Sequence, residues 1–227
     1  EYAVVGEGSA SYANRGVLDV AIAHKGRRGS TVVATGTTAH ASEPERGKNA
    51  VYRAADAVNV IRDLPVPETT VFGATLSGSV AVTGIEGGRA WNVIPDRCTV
   101  TVDERTVPGE RADVEAIDGI SWRVDQDLPP MECDDSAFAG AVLEAAALAQ
   151  DGAPEHVVKP HATDAGWLAA AGTTCVVCGP AEPGEAHTKD ESVSITMLER
   201  SYDTYSTLAR EWPDCVEESK SDTGSNT

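Results

Sequence analysis

At 227 residues and 41% hydrophobic content, the chain is long enough for one large or two modest domains with a real core. No apolar run approaches the roughly 18 residues of a membrane span, so no membrane partner is expected. Asp and Glu total 36 against 18 Lys and Arg, a net charge of −18, and so acidic a chain repels phosphate and excludes nucleic acid as a partner.

Only five of those basic residues are lysine. A strongly acidic, lysine-poor composition over an ordinary core points to halophilic adaptation, because salt screens the self-repulsion. Five cysteines give no disulfide framework. Cys175 and Cys178 lie in T-T-C-V-V-C-G, which reads as a buried strand rather than a redox or zinc pair. The cysteines fit a reducing, cytoplasmic interior. The chain opens at Glu1 on a strand end, without methionine or a signal peptide, and reads as the C-terminal part of something longer.

In chain order, residues 3–6 predict a short buried strand with Glu7 at its carboxyl end, where open α/β sheets hold their ligands. Residues 17–25 place Leu18, Val20 and Ile22 on one side of a strand, with His24 read as structural. A strand over 29–36 leads into G-T-T-A-H-A-S-E-P-E-R-G-K-N-A (36–50), a polar loop carrying His40. A helix follows from about Asn49, with Val51, Ala54, Ala55, Val58 and Ile61 on one stripe, ended by Pro65 and Pro67. Residues 74–83 alternate as an antiparallel strand with one wet face. In the G-I-E-G-G-R-A-W-N-V-I-P-D that follows, Gly84, Gly87 and Gly88 permit a tight turn bearing Asn92. Residues 97–105 return as a strand with Cys98, Val100 and Val102 on one face and Thr101, Asp103 and Arg105 on the other.

Beyond Pro108-Gly109, residues 110–117 offer a short acidic helix and 122–133 read as a linker-like return. A helix is expected over 136–149 and a strand over 155–160. A second helix lies within 161–172, capped by Thr163 or Asp164 and stopped by Gly172. The buried strand 173–178 precedes a loop, 179–191, that carries His187. An amphipathic helix over 191–212 and a polar tail, expected to be disordered, end the chain.

G-x-x-x-H-x-S-x-P-x-x-G-x-N-A around His40 resembles the signature of the lid, or dimerisation, domain of the zinc aminoacylase and deacylase peptidases. That family includes acetylornithine deacetylase, succinyl-diaminopimelate desuccinylase and carboxypeptidase G. The resemblance extends to V-V-G-E-G-S around Glu7, to N-V-I-P-D followed by a strand ending at Arg105, and to G-P-A-E-P-G-E-A-H-T-K-D-E around His187. It departs at Gly8, where the family often has Pro, and at Ala181, where it has Gly.

The resemblance implies an α/β fold: an incomplete zinc-peptidase catalytic domain (1–16 and 122–213) and an inserted α+β lid (17–121). The lid would have about four antiparallel strands and one to two helices, and 214–227 would form a disordered tail. It implies a metal-dependent hydrolase of amide bonds in N-acyl amino acids or small peptides. Two zinc ions, replaceable by cobalt or manganese, would be held in part by Glu7 and His187. Asn92 and Arg105 would bind the substrate's carboxylate or carbonyl end. His40 would reach across a homodimer, formed through the lid, to the partner's oxyanion.

The family's other ligands, a His-x-Asp pair and a Glu-Glu pair that includes the general base, would precede residue 1. No His-x-Asp occurs in the chain, and Glu217-Glu218 lies in the tail. Alone, the chain is expected to be inactive. The alternative reading is a fragment that dimerises and hydrolyses nothing.

Overall fold

The computed structural model describes residues 1–114, 120–184 and 186–222, the side chains of 213–222 excepted. In chain order its elements begin with β1 (Tyr2–Val5), β2 (Val20–His24), β3 (Arg27–Thr35) and β4 (Ala39–His40). Next come α1 (Ala50–Arg62), β5 (Glu68–Val71), β6 (Ala74–Ser77), β7 (Ser79–Gly87), β8 (Val93–Ile94) and β9 (Arg97–Arg105). Then follow β10 (Ile120–Leu128), β11 (Met131–Glu132), α2 (Ser136–Leu148), β12 (His156–Lys159), α3 (Ala165–Ala170), β13 (Thr174–Val177) and α4 (Ile195–Asp222).

The chain forms two compact units. The first takes Glu1–His24, Thr70–Leu76 and Met131 onward; the second takes Lys25–Thr69 and Ser77–Pro130. The divides fall at 24/25 and 130/131, not at the expected 16/17 and 121/122. Hydrogen bonding explains both shifts: β11, β12 and β13 all pair with β2, and β10 pairs along its length with β3.

In the first unit β1 and β13 run parallel, Val5 opposite Val177. The next strand, β2, is buried at all five positions. The one-sided strand expected there is a central one, bonded by β13, β11 and β12 and covered on both faces. Ala21, Met131, Ala165, Cys175 and Val177 form a core cluster of this unit. Helix α2 starts at Asp135, whose carboxylate accepts from the N–H groups of Ala137 and Phe138. At α3 the cap is Thr163, whose Oγ1 accepts from Ala165 N–H at 3.2 Å, whereas Asp164 makes no side-chain cap. Helix α4 continues past residue 213, so the described part of the expected tail is helical.

The second unit is an antiparallel four-stranded sheet in the order β10-β3-β9-β7. Val32, Ala34, Cys98, Val100 and Val102 pack against Ala50, Ala54, Ala57 and Ile61 of α1. Of the stripe read from the sequence, Val51, Ala54, Val58 and Ile61 lie in or against this cluster, and Ala55 is exposed. Strand β10 replaces the linker expected from residue 122. Residues 74–83 form two strands, not one, parted at Gly78, where a Cβ would lie 2.8 Å from the Arg105 carbonyl oxygen. Of the helix expected over 110–117, residues 110–113 are not helical, and 115–117 lie outside the described residues. Within that stretch, the Ala112 carbonyl accepts from Arg28 at 2.9 Å and Ala112 N–H donates to Glu104 at 3.1 Å, while Arg28 also donates to Glu104 at 2.5 Å. This buried triad ties residue 112 to the sheet.

Candidate functional site

The His40 loop is shaped by two glycines. Thr37 and Lys48 exchange backbone hydrogen bonds across its neck. A Cβ at Gly36 would sit 2.0 Å from the Lys48 carbonyl oxygen, and one at Gly47 would sit 2.9 Å from the Thr37 carbonyl oxygen. Close backbone approach therefore demands glycine at both positions. Beyond the neck, Asn49 caps α1 by accepting from Val51 N–H at 2.9 Å.

His40 itself lies on β4, exposed and paired with Val93 of β8. Its Nδ1 accepts the Ser42 backbone N–H at 3.2 Å and lies 2.6 Å from Ser42 Oγ. A backbone N–H only donates, so Nδ1 carries no proton in the neutral ring and Nε2 is the N–H donor. Asn92 is brought beside it, because its carbonyl accepts from Ala41 N–H at 2.9 Å. Of the three glycines expected to make the Asn92 turn, Gly88 does so, at φ +84°, while Gly84 and Gly87 lie within β7.

Arg105 is not brought to this pair. Residues 93–96 lead directly into the start of β9, where Thr35 faces Arg97, whereas Arg105 ends the strand, opposite Ser79. Eight strand steps between them span about 26 Å. His40 and Asn92 thus occupy one end of the lid sheet and Arg105 the other. The strand sets Asn92 and Arg105 apart within one chain. Arg105 donates through Nε to Asp103 Oδ1 at 2.8 Å.

Glu7 and His187 follow the carboxyl ends of the parallel neighbours β1 and β13. Both are exposed. The turn bearing Glu7 is locked to the loop after β13: Ser9 N–H donates to the Gly179 carbonyl at 2.9 Å, and Gly179 N–H to Ser9 Oγ at 3.1 Å. Lys159, 5% exposed, donates through Nζ to the Gly8 carbonyl, with its ammonium 5.6 Å from the Tyr12 ring centroid. Burial lowers the Lys159 pKa, and the charge of Glu7 opposes that shift. Asp19, fully buried, holds the next stretch by accepting from the N–H groups of Tyr12, Ala13 and Glu155 at 2.9–3.0 Å. Sequence reading passed over both Lys159 and Asp19. A charge inside a β-branched or apolar run (V-V-K, V-L-D-V) was the available signal.

A Cβ at Gly8 would meet the Ala181 carbonyl oxygen at 2.5 Å and its Cβ at 2.8 Å. The two departures from the family pattern, Gly8 and Ala181, are therefore one contact. His187 has φ 63°, a left-handed conformation costly for a residue with a Cβ, and its N–H donates to Glu191 at 3.1 Å. Among the described residues, no group of three or more His, Cys, Asp or Glu side chains gathers as a metal would require. Two donors, one imidazole and one carboxylate, suit zinc in kind but not in number. The described residues do not by themselves fit a zinc pair.

Residues 22–119 match the family model described as the peptidase dimerisation domain. That region, less than half of the chain, is similar to this domain. The chain is 27% identical to an acetylornithine deacetylase of Myxococcus xanthus, over 78% of this chain and 50% of the relative. It is 23% identical to a succinyl-diaminopimelate desuccinylase of Corynebacterium glutamicum, over 74% of this chain and 47% of the relative. The chain thus spans about half the length of the curated relatives it matches. Among solved structures, aminopeptidase PepT of Bacillus cereus shares the fold, with a TM-score of 0.63 at 19% identity, over 89% of this chain and 54% of that one.

Proposed function

We propose that the chain supplies the lid and two metal ligands, Glu7 and His187, of a zinc-dependent amide hydrolase acting on N-acyl amino acids or small peptides. The observation that carries this reading is the placement of His40, exposed on a pinched, glycine-framed loop with its Nδ1 turned to Ser42 and its Nε2 left to present an N–H donor. Amide hydrolysis develops negative charge on the carbonyl oxygen, and one preorganised donor to that oxygen is worth about 2.7–4 kcal/mol. Arg105 would grip the carboxylate end of the substrate, for which a guanidinium fork is well suited.

The length of β9 supports a two-subunit site. If His40, Asn92 and Arg105 serve one substrate, they come from two subunits, with His40 and Asn92 reaching the partner's site. The second unit leaves Tyr52, Ile85, Trp91 and Val93 exposed, Trp91 fully so, as an association surface would. A homodimer formed through the lid accounts for both features. No helix among the described residues is long and apolar enough to cross a membrane, and the buried free cysteines agree with a reducing, cytoplasmic setting.

The second reading is a dimerising chain without catalysis, favoured by the presence of two metal donors where a metal pair needs more. The coding sequence upstream of residue 1 separates the two. An in-frame continuation carrying His-x-Asp and Glu-Glu pairs, with deacylase activity in the protein expressed from it, supports the hydrolase. A stop codon there supports the non-catalytic reading.

A further inference from the structure

A cavity of about 430 Å³ opens on the second unit where β7 turns into β8, within the size range of small-molecule sites, roughly 300–1,000 Å³. Its charged walls are Glu86, Arg89, Asp96 and Arg97. Glu86 pairs with Thr99, and Thr99 and Arg97 flank Cys98, which packs against α1. Glu86 and Arg97 therefore stand on the sheet face away from that helix. Asp96 is held by its backbone, whose carbonyl accepts from Gly36 N–H at 2.7 Å. Thr38 and Val93 line the side next to His40, Val93 being the cross-strand partner of that histidine.

The ionic state of this cavity sets it apart from the rest of its unit. Arg27, Arg28, Arg105, Arg111 and Arg123 each hold a carboxylate at 2.5–2.8 Å. Glu86, Arg89, Asp96 and Arg97 form no ion pair among the described residues. Two guanidinium groups and two carboxylates thus line one cavity without pairing with each other. That set is complementary to a ligand carrying both signs. An α-amino acid does so: its carboxylate suits a guanidinium fork and its ammonium suits a carboxylate. An N-acyl amino acid does not, because acylation removes the ammonium and leaves both acidic side chains beside an anion.

We propose that this cavity binds a free α-amino acid, the amine product of amide hydrolysis, in preference to the N-acyl substrate. This rests on the hydrolase reading and adds to it a product site, separate from Arg105 at the far end of β9. Arg89 and Arg97 take the carboxylate, and Glu86 and Asp96 take the ammonium. An amino acid held there lies beside His40 and hinders the approach of the next substrate, so the lid carries its own product inhibition.

The test is NMR titration of the 227-residue protein with L-methionine and with N-acetyl-L-methionine at neutral pH and constant ionic strength, following the Gly87 and Gly88 amide signals. L-methionine is expected to bind roughly tenfold more tightly, the gain of one charge-assisted contact. Glu86→Gln combined with Asp96→Asn should abolish that preference by weakening methionine alone. Arg89→Gln combined with Arg97→Gln should weaken both ligands. A wild-type protein that binds neither ligand, or both equally, overturns the proposal. So does a folded Glu86→Gln, Asp96→Asn protein that keeps the preference. Failure of the hydrolase reading looks different: the protein expressed with its upstream coding sequence would lack deacylase activity while methionine binding stayed intact.

Discussion

At the scale of single residues, His40 is the side chain placed to donate to the substrate's carbonyl oxygen in the proposed reaction. Ser42 N–H occupies Nδ1, so the neutral ring carries its proton on Nε2. Nitrogen-15 NMR of the imidazole at alkaline pH should report the Nε2–H tautomer; an Nδ1–H tautomer would remove the donor from the oxyanion role. Much at this scale was legible. A histidine among spaced glycines, and an Asn before a helical stripe, name the loop and its cap directly. The separation of Asn92 from Arg105 was not legible, because thirteen positions of sequence do not say whether the chain doubles back or runs out along one strand. Gly8 and Ala181 read as two unrelated departures, since a contact between residues so far apart in sequence leaves no local trace.

At the scale of elements, α2 and the triad around Arg28 give two quantitative expectations. Asp135 caps α2, and its pKa lies below the usual carboxylate value, chiefly through the hydrogen bond from Phe138 N–H. A depressed carboxyl contributes stability that is fully present above its unfolded pKa, near 3.8. That contribution is lost as pH falls through the lower folded value. Asp135→Ala should cost about 1 kcal/mol at neutral pH and flatten the acid limb of the stability curve. Arg28→Ala strands Glu104, 3% exposed, and should cost about 3–5 kcal/mol in urea unfolding, whereas replacing both partners by apolar residues of similar volume should cost much less. Equal losses for the single and double replacements would contradict the triad's role.

Strand β10 escaped sequence reading for a physical reason. It is an edge strand, mostly exposed, and Arg123, Asp125, Gln126 and Asp127 make it as polar as a linker. Charge on an edge blocks pairing with other chains and also hides the strand's alternation. The opposite error arose at β2, where apolar residues on both faces looked one-sided because Ala21 and Ala23 weigh little in a hydrophobic pattern.

At the scale of the whole molecule, a net charge of −18 should make stability depend on salt. Thermal melts in rising potassium chloride are expected to move to higher temperature as self-repulsion is screened. A flat or falling trend would argue against halophilic adaptation. The central claim concerns assembly: His40 and Arg105, at opposite ends of the 97–105 strand, act on one substrate from different subunits. Mixed dimers test it most directly, in the enzyme expressed with its upstream coding sequence, one parent carrying His40→Ala and the other Arg105→Ala, each nearly inactive alone. If the two residues come from different subunits, one site of the mixed dimer has both defects and the other has neither, so activity returns on mixing. If they serve the same site from one chain, each site keeps one defect, and verified heterodimers that stay as inactive as their parents would contradict the account.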